Sequence, residues 1–493
     1  MYEYLALAPI ILPIVGALVA LVAYDRFSRH FDVLVIGYSA FLFAVDVGYL
    51  LLLQGGMEPL AFGLIVLDAP GMVITALVSF LGTLVMFYSF VYKDRKHYDS
   101  TYFVTYLLLM GFMSGLANTY NVILMLVLLE AATVFSGVLI LFGRTKKAIS
   151  AATVYLTISI IEVLLVLYGA FVLYGHTGSL NVLEGIGLIP DSDRMLLALL
   201  FLFGFGTKAG LLPLGQIWLP PAHAEAPPPI SATMSGILVK ASVIAMAKAI
   251  YPFASASGLE TIALIVIVIG TLNILVGVIM ALLQEDLKKL LAYHTISQIG
   301  YVIVGLGLGF FVGAGGGLGP AAVEGVYGAI FHITNHMLFK GCLFLISGAL
   351  ILRVNTRQMH RMRGLMKYMP LTAISFLIAS LAMSGLPLLN GFVSKEAIRE
   401  ATAQAGAVWW GYEWLGYLQV VGSILTFICL IHAFYVMFMG QPKEEFAGVS
   451  DPPLYMLLPI LIMAGLCVLL GLFPGLVSGM LELAAEALLH PGM

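Results

Sequence analysis

Apolar stretches long enough to cross a bilayer recur along the whole chain, separated by short polar segments. A membrane-spanning helix needs about 20 mostly apolar residues, so each stretch predicts one transmembrane helix. Fourteen are predicted, near residues 4–23, 33–53, 69–92, 102–118, 121–142, 149–174, 195–219, 230–251, 259–282, 287–313, 323–352, 371–402, 414–439 and 454–479. The first has neither a basic leader nor a small-residue cleavage site, so we expect a retained helix and not a signal peptide. The pattern predicts an all-α polytopic membrane protein.

The composition excludes an ordinary soluble domain. Of 493 residues, 61% are hydrophobic and 10% are charged, whereas soluble domains carry roughly 25% charged residues. The net charge of −3 makes nucleic acid an unexpected partner. Cys342, Cys429 and Cys467 lie far apart in apolar runs, which excludes a C-x-x-C metal site, an iron–sulfur cluster and a disulfide framework. We therefore expect no cofactor in this chain, and any redox centre in another chain.

The distribution of basic residues predicts the orientation, because cytoplasmic loops collect Lys and Arg. Sixteen of the 23 basic residues fall in alternate loops: Arg26, Arg29, Lys93, Arg95, Lys96, Arg144, Lys146, Lys147, Lys288, Lys289, Arg353, Arg357, Arg361, Arg363, Lys367 and Lys443. The opposite loops and helix ends hold only Arg194 and Lys248, beside several acidic residues. We expect a multi-pass protein of the cytoplasmic membrane with both termini outside.

Several ionisable residues fall inside the apolar segments. A charged side chain at mid-membrane costs at least about 2.5–3.5 kcal/mol on insertion scales, so its presence indicates function. These residues are Lys208, Lys240, Lys340, Lys395, Arg399, Glu130, Glu162, Glu396, Glu400, His294, His332, His336 and His432. So many titratable groups at membrane depth indicate an ion path. Asp46 and Glu324 are interpreted as packing or boundary groups.

Two of the segments contain a glycine and proline interruption, at 204–213 in the seventh and 384–391 in the twelfth. Proline removes a helix hydrogen bond, and the freed carbonyls are tolerated only inside protein or beside a wet cavity. Both segments are therefore predicted to be discontinuous helices. They lie five spans apart, so the two units cross the membrane in opposite directions, as inverted repeats do.

Glu130 in the fifth helix and Lys208 at the first interruption have opposite charges and comparable depth. One interpretation is that they pair, and that making and breaking the pair shifts the lysine pKa enough to load and release a proton. The alternative is a static buried ion pair that only fixes helix packing. The position of Lys208 at a helix break favours the first interpretation.

His332, His336 and Lys340 are spaced i, i+4, i+8, which puts them on one face of the eleventh helix over about 12 Å. This row is interpreted as a series of proton carriers. Zinc binding and structural hydrogen bonding are the alternatives. No H-E-x-x-H pattern is present, and Lys340 would repel a cation, so no metal site is predicted.

Three further residues belong to the predicted path. Lys240 lies mid-helix among small residues, which let helices and water approach closely, although a lysine that extends to the headgroups is the alternative. His294 has polar Ser297 and Gln298 one turn later, which favours a hydrated tenth helix. Lys395 follows the second interruption. Its charged neighbours are assigned to a vestibule or subunit contact: Glu396, Arg399 and Glu400.

One stretch resembles a known family: residues 205–240 contain G-T-K-A-G-L-L-P-L-G-Q-I-W-L-P-P-A-H-A-E-A-P and then S-G-I-L-V-K. It is similar to the antiporter-like proton-translocating subunits of respiratory complex I, membrane-bound hydrogenases and Mrp-type cation/proton antiporters. The resemblance extends to Glu130, to the segment 284–300, to H-x-x-x-H-x-x-x-K from His332, and to G-F-V-S-K-E at 391–396.

The resemblance implies two inverted five-helix repeats, each with a discontinuous helix. It divides the chain into three N-terminal helices (1–100), a first repeat of helices 4–8 (101–255), a second repeat of helices 9–13 (256–440), and a C-terminal helix with a short tail (441–493). It also implies that Glu130 and Lys208 form the switchable pair, that Lys240 continues the axis, and that Lys340 and Lys395 serve the second half-channel. The lack of a long lateral helix favours the shorter Mrp-D-like and hydrogenase-type subunits.

We therefore expect an ion-translocating subunit with no catalytic centre of its own, in a redox-driven complex or a Na+/H+ antiporter. Its expected partners are other membrane subunits, including antiporter-like and redox chains, the lipid bilayer, and H+ with or without Na+. Two alternatives are a quinone-binding membrane subunit of an oxidoreductase and a stand-alone secondary solute transporter. The second should work when expressed alone, whereas a subunit should require partner chains.

Overall fold

The structure, a computed structural model, describes residues 3–26, 31–96, 98–255, 259–311, 319–406 and 411–491. Arg29 and the last two residues of the tenth predicted segment lie outside the described residues. The described chain forms these α-helices: α1 Ala8–Arg26, α2 Phe31–Gln54, α3 Ala69–Lys96, α4 Ser100–Ala117, α5 Val122–Leu141, α6 Lys146–Thr177, α7 Asp191–Ala209, α8 Gly215–Glu225, α9 Pro228–Thr233, α10 Val239–Ile250, α11 Leu259–Leu282, α12 Leu287–Leu308, α13 Gly319–Val354, α14 Pro370–Ser384, α15 Asn390–Ala405, α16 Gly411–Phe438, α17 Leu454–Leu472 and α18 Ser478–Leu489.

Twelve helical segments of the described chain are long and apolar enough to cross a membrane, which confirms a polytopic all-α membrane protein. One of them joins α9 and α10 through a π-helical turn at Met234–Leu238. The pairs α7/α8 and α14/α15 are not among the twelve. If each pair makes one crossing, the total is the predicted fourteen, and that total remains a prediction.

The two predicted interruptions are confirmed. α7 ends at Ala209, Gly210 takes a left-handed conformation with φ of 90°, and α8 begins at Gly215 after a cis Leu212–Pro213 peptide. α14 ends at Ser384, Gly385 has φ of 83°, and α15 begins at Asn390. A glycine adopts this conformation without the steric cost that a side chain brings, which explains why each helix ends there.

Side chains donate hydrogen bonds to backbone carbonyls at both breaks. Trp218 Nε1 donates to the carbonyl of Thr207 at 2.9 Å, and Asn273 Nδ2 of α11 donates to that of Gly210 at 3.1 Å. At the second break, Lys395 Nζ donates to the carbonyl of Met383 at 2.9 Å. Carbonyls outside a regular helix need such partners at membrane depth, and side chains of the protein supply them at both breaks.

The three most enclosed membrane spans carry several of the buried ionisable residues: Lys240, His294, His332, His336 and Lys340. In Pro228–Phe253 and in Leu287–Phe311, every residue of an apolar 18-residue stretch is buried. The buried share of the same kind of stretch in α13 is 83%. The corresponding share is 28% in α2 and 33% in both α6 and α16. Apolar residues cover the outer helices, so the ionisable side chains of the central helices are shielded from the hydrocarbon.

The last predicted membrane span is present, but its predicted end lies too far along the chain. A continuous helix was predicted for 454–479, but α17 ends at Leu472, a single 3-10 turn covers Pro474–Leu476, and α18 follows. Pro474 has no N–H to donate and restricts the preceding residue, so it favours a helix end. The prediction also missed a hairpin of β1 Leu60–Phe62 and β2 Ile65–Leu67, whose three-residue strands are too short to give a periodic pattern.

Candidate functional site

Lys208 lies in the last turn of α7, just before the first break, and 1% of it is exposed. Its ammonium donates to Ser159 Oγ at 2.5 Å and lies 3.4 Å from Glu162 Oε2. It also lies 4.3 Å from the centroid of the Tyr155 ring. Positions 155, 159 and 162 share one face of a helix, so α6 alone gives this ammonium an aromatic ring, a hydroxyl and a carboxylate.

The sequence-based pairing of Lys208 with Glu130 needs correction, because Glu162 is the carboxylate at ion-pair distance. Glu130 of α5 interacts with Lys208 electrostatically without an ion-pair contact in the described chain. Its Oε1 is buried and has no hydrogen-bond partner among the described residues. The reason is that α7 packs along the face of α6 that carries Ser159, which sequence spacing does not reveal. A transport role for Glu130 stays a prediction.

Lys240 is fully buried in α10, two residues after the π-helical turn. Its ammonium donates to the backbone carbonyl of Ser235 inside that turn. The Ser235 hydroxyl is 2.8 Å from Thr295 Oγ1 of α12. A π-helical turn disturbs the regular hydrogen-bond ladder and is frequent at functional sites. In this protein the π-helical turn supplies the carbonyl to which Lys240 donates. No carboxylate among the described residues forms an ion pair with Lys240.

Lys340 is fully buried on α13 and donates to the backbone carbonyl of Leu291 on α12. His336 and His332 lie one and two turns before Lys340 on α13, and the centroids of the two imidazole rings are 6.2 Å apart. His332 Nδ1 lies 2.9 Å from Ser394 Oγ of α15. The structure places all three residues of the predicted row on one buried helix. No direct hydrogen bond joins them in the described chain, and their part in transport stays a prediction.

Lys395 lies near the start of α15, just after the second break. It is the last residue of the predicted path. Besides Met383, its ammonium reaches Ser423 Oγ at 3.2 Å and lies 4.2 Å from the Tyr301 ring centroid. It lines a cavity of about 190 Å³ together with the ion-paired Glu396 and Arg399. These two neighbours are partly exposed, which fits their assignment to a vestibule without testing it.

In three buried histidines, neither ring nitrogen has a hydrogen-bond partner among the described residues: His223, His294 and His336. His332 Nε2 also lacks one. His223 is missing from the sequence-based site, because it lies between the predicted spans 195–219 and 230–251. α8 carries it inside, where its ring lies 5.1 Å from that of Phe344. Buried polar groups are nearly always satisfied, often by buried water. The arrangement therefore suits a hydrated interior.

The described residues contain no group of three or more His, Cys, Asp or Glu side chains that could hold a metal ion. Glu162 was placed at membrane depth by the sequence analysis but was given no partner and no place in the predicted path. The available signal was its place in an otherwise apolar span, three residues after Ser159. Two hydrogen-bonding groups at that spacing on a lipid-exposed helix indicate that one face turns inward.

Comparison with known proteins gives a family match over most of the chain. Residues 119–426 match the family described as NADH:quinone oxidoreductase/Mrp antiporter, TM. Hydrogenase-4 component B of Escherichia coli (strain K12) is 37% identical over 56% of this chain and 42% of that protein. Na(+)/H(+) antiporter subunit A1 of Staphylococcus aureus (strain JH9) is 32% identical over 98% of this chain and 63% of that protein. The chain thus matches less than two thirds of the length of these relatives, 42% of the first and 63% of the second.

Solved structures share the fold along the whole chain. A chain of the Mrp complex from Dietzia sp. DQ12-45-1b has a TM-score of 0.86 at 22% identity, covering 100% of this chain and 98% of that one. A chain of the membrane-bound sulfane sulfur reductase, an archaeal respiratory membrane complex, has a TM-score of 0.87 at 23% identity, covering 98% and 97%. At these identities the likeness shows the fold alone.

Proposed function

Because the chain belongs to the NADH:quinone oxidoreductase/Mrp antiporter transmembrane family, we propose that it is a proton-translocating, antiporter-like subunit of a multisubunit membrane complex. The observation that carries the proposal is the Lys208–Glu162 pair beside a helix break. A buried ion pair is weak support for stability alone. Its position at the start of a row of buried lysines supports a role in moving charge.

The proposed carriers lie in the order Glu130 and Glu162, Lys208, Lys240, Lys340 with His294, then His336, His332 and Lys395. In this proposal, Glu162 stabilises the charged form of Lys208, and separation of the pair favours release of the lysine proton. Backbone carbonyls hold Lys240 and Lys340 in place in either protonation state, because a neutral amine also donates. Water completes the path where ring nitrogens of histidine lack protein partners.

The repeat organisation forms part of the proposal. α4–α10 would make the first repeat and α11–α16 the second, each with one discontinuous helix and a row of buried ionisable residues. Support comes from the two breaks, since each has a glycine of positive φ at the end of its first half. Inverted repeats place such breaks near the membrane midplane, where ions bind.

The proposed partner subunits and the proposed membrane are inferred from the relatives of this chain. The names of the relatives and neighbours describe a Na+/H+ antiporter subunit, a hydrogenase component and respiratory or Mrp complexes. We propose that this chain likewise assembles with other antiporter-like and redox membrane subunits in the cytoplasmic membrane. It would hold no cofactor of its own, both termini would lie outside, and the driving energy would come from a partner chain or a sodium gradient.

The test is transport by the assembled complex, purified through an affinity tag on this chain and reconstituted into vesicles. Mass spectrometry of the purified complex identifies the partner chains, and a pH-sensitive dye follows proton movement. We expect co-purified membrane subunits and proton transport that Lys208→Ala reduces strongly, with Lys443→Ala as a basic-loop control. Unchanged transport by a fully assembled Lys208→Ala complex would remove the pair from the mechanism, and purification of an active chain alone would favour a stand-alone transporter.

A further inference from the structure

A second polar cavity, separate from the row of carriers, lies where the turn after α11 meets the end of α16. It has a volume of about 320 Å³, far more than the roughly 15 Å³ that one water needs. Its walls include Leu290 of α12, Cys429 and His432 of α16, and Glu285 and His360 from two neighbouring loops.

The mouth of this cavity faces the loops that collect basic residues. Glu285 belongs to the turn between α11 and α12, and His360 lies between α13 and α14, the connection with the most Lys and Arg. Their side chains are 79% and 58% exposed, and His360 Nδ1 lies 3.8 Å from Glu285 Oε2. Because both side chains are exposed and belong to polar loops, this end of the cavity opens towards the basic-loop side.

The floor of the cavity reaches the surroundings of Lys340. Leu290 lines the floor, and the next residue, Leu291, supplies the carbonyl to which the Lys340 ammonium donates. Cys429 also lines the floor and lies close enough to Lys340 for an electrostatic interaction. Lys340 itself is fully buried, so Leu290 and Cys429 link the lining of the cavity with the surroundings of a buried ammonium.

We propose that this cavity is an aqueous entrance that connects Lys340 directly with the basic-loop side, with His432 as a proton-accepting side chain on its wall. The inference rests on the proposed function. It gives the second half of the chain an access of its own, so a proton can reach Lys340 without passing Lys208 and Lys240. Transfer moves one proton from cavity water or the His432 imidazolium to neutral Lys340, with no other reactant.

Cys429 provides a native probe of the cavity. In the assembled complex with Cys342→Ala and Cys467→Ala, Cys429 becomes the only cysteine of this chain. A small, cationic, membrane-impermeant methanethiosulfonate is applied to right-side-out and to inverted vesicles. The matched control is Ile428→Cys with Cys429→Ser, because Ile428 is the adjacent residue of α16, is 50% exposed and does not line the cavity. Arg361→Cys in the cysteine-free background marks the basic-loop side.

We expect Cys429 to react only from the side that labels Arg361→Cys, and proton transport to fall at least fivefold after modification. Cys342→Ala/Cys467→Ala/Cys429→Ser should show no change on adding the reagent, and Ile428→Cys should not react because a thiol in lipid stays protonated. Reaction from the opposite side only, reaction from neither side, or reaction without loss of transport would overturn the entrance. If the unmodified complex moves no protons, the proposed function fails, whereas the sidedness of labelling still decides whether water reaches the neighbourhood of Lys340.

Discussion

Lys208 of α7 forms its ion pair with Glu162 of α6, at 3.4 Å, while Glu130 of α5 interacts with the same lysine from farther away. Two carboxylates on different helices thus share one buried ammonium. This arrangement lets the lysine charge be stabilised from two directions. It also makes separable predictions for the two carboxylates.

Glu162→Gln should both weaken transport and destabilise the chain. Loss of the partner leaves Lys208 as an uncompensated buried charge, at a cost of about 3–5 kcal/mol. Glu130→Gln keeps the ion pair, so we expect reduced transport with a smaller loss of thermal stability. Proton transport and the unfolding temperature in detergent are measured on both variants. The exposed Glu413→Gln is the control, and equal stability losses in the two carboxamide variants would contradict the unequal roles.

Proton transport should require a residue at position 340 that can both bind and release a proton. Lys340→Ala removes the carrier, and Lys340→Arg keeps a charge whose proton is not released near neutral pH. We expect both variants to slow proton transport strongly while the complex still assembles. Metal analysis of the purified complex runs alongside, because a zinc site on His332 and His336 would instead bind metal more tightly in Lys340→Ala. Full transport by Lys340→Arg would count against a proton-releasing lysine.

Asp68→Asn should destabilise the chain without any change in the proposed row of carriers. Lys248 Nζ lies 2.8 Å from Asp68 Oδ1 and donates to the Ala117 carbonyl at 2.7 Å. The Tyr120 hydroxyl donates to Asp68 Oδ2 at 2.7 Å. Burial and the neighbouring carboxylate raise the pKa of Tyr120, so its hydroxyl stays a donor.

This buried cluster joins the start of α3, the end of α4 and the end of α10. Removal of one charge of such a pair costs about 3–5 kcal/mol, and the unfolding temperature in detergent checks it. The exposed, neighbouring Glu58→Gln should have little effect. An unfolding temperature equal to that of the unmodified chain in Asp68→Asn would show that the cluster does not hold these helices together.

Gly391→Ala should disturb the second break. A Cβ at this position would run into the Ala382 carbonyl oxygen of α14, a backbone atom that cannot turn aside. Gly215 has the same relation to the backbone of Gly210 at the first break. We expect either alanine to lower the yield of assembled complex, as measured by size-exclusion chromatography. Gly465→Ala in α17 meets open space and should be neutral, and a normal yield for Gly391→Ala would show that the break can widen.

The orientation can be tested with three single cysteines in exposed positions, Lys146→Cys, Arg361→Cys and Asp191→Cys. Because the first two belong to the basic loops, an impermeant thiol reagent should reach them only from the cytoplasmic side. Asp191→Cys should react only from outside. Alkylation of intact cells and of inverted vesicles gives the comparison. Reaction of all three from one side would contradict the fourteen-helix topology.

The amino-acid sequence by itself determined the class of protein, the rough positions of the helices, the two breaks and the residues at membrane depth. These follow from local physics: a run of about 20 apolar residues suits only a bilayer or a protein core, and glycine and proline end helices through their own backbones. The same reasoning missed the short hairpin and the end of α17, because three-residue strands and one proline leave weak signals.

Only the tertiary structure decided which groups meet. That Glu162, and not Glu130, holds Lys208, and that Lys240 and Lys340 donate to backbone carbonyls of Ser235 and Leu291, depends on how α6, α7, α12 and α13 pack. Depth along a helix can be estimated from position in the chain, but rotation and neighbours cannot. Because electrostatic attraction and hydrogen bonding act over a few ångströms, the partners of each buried charge are fixed by packing between helices far apart in sequence.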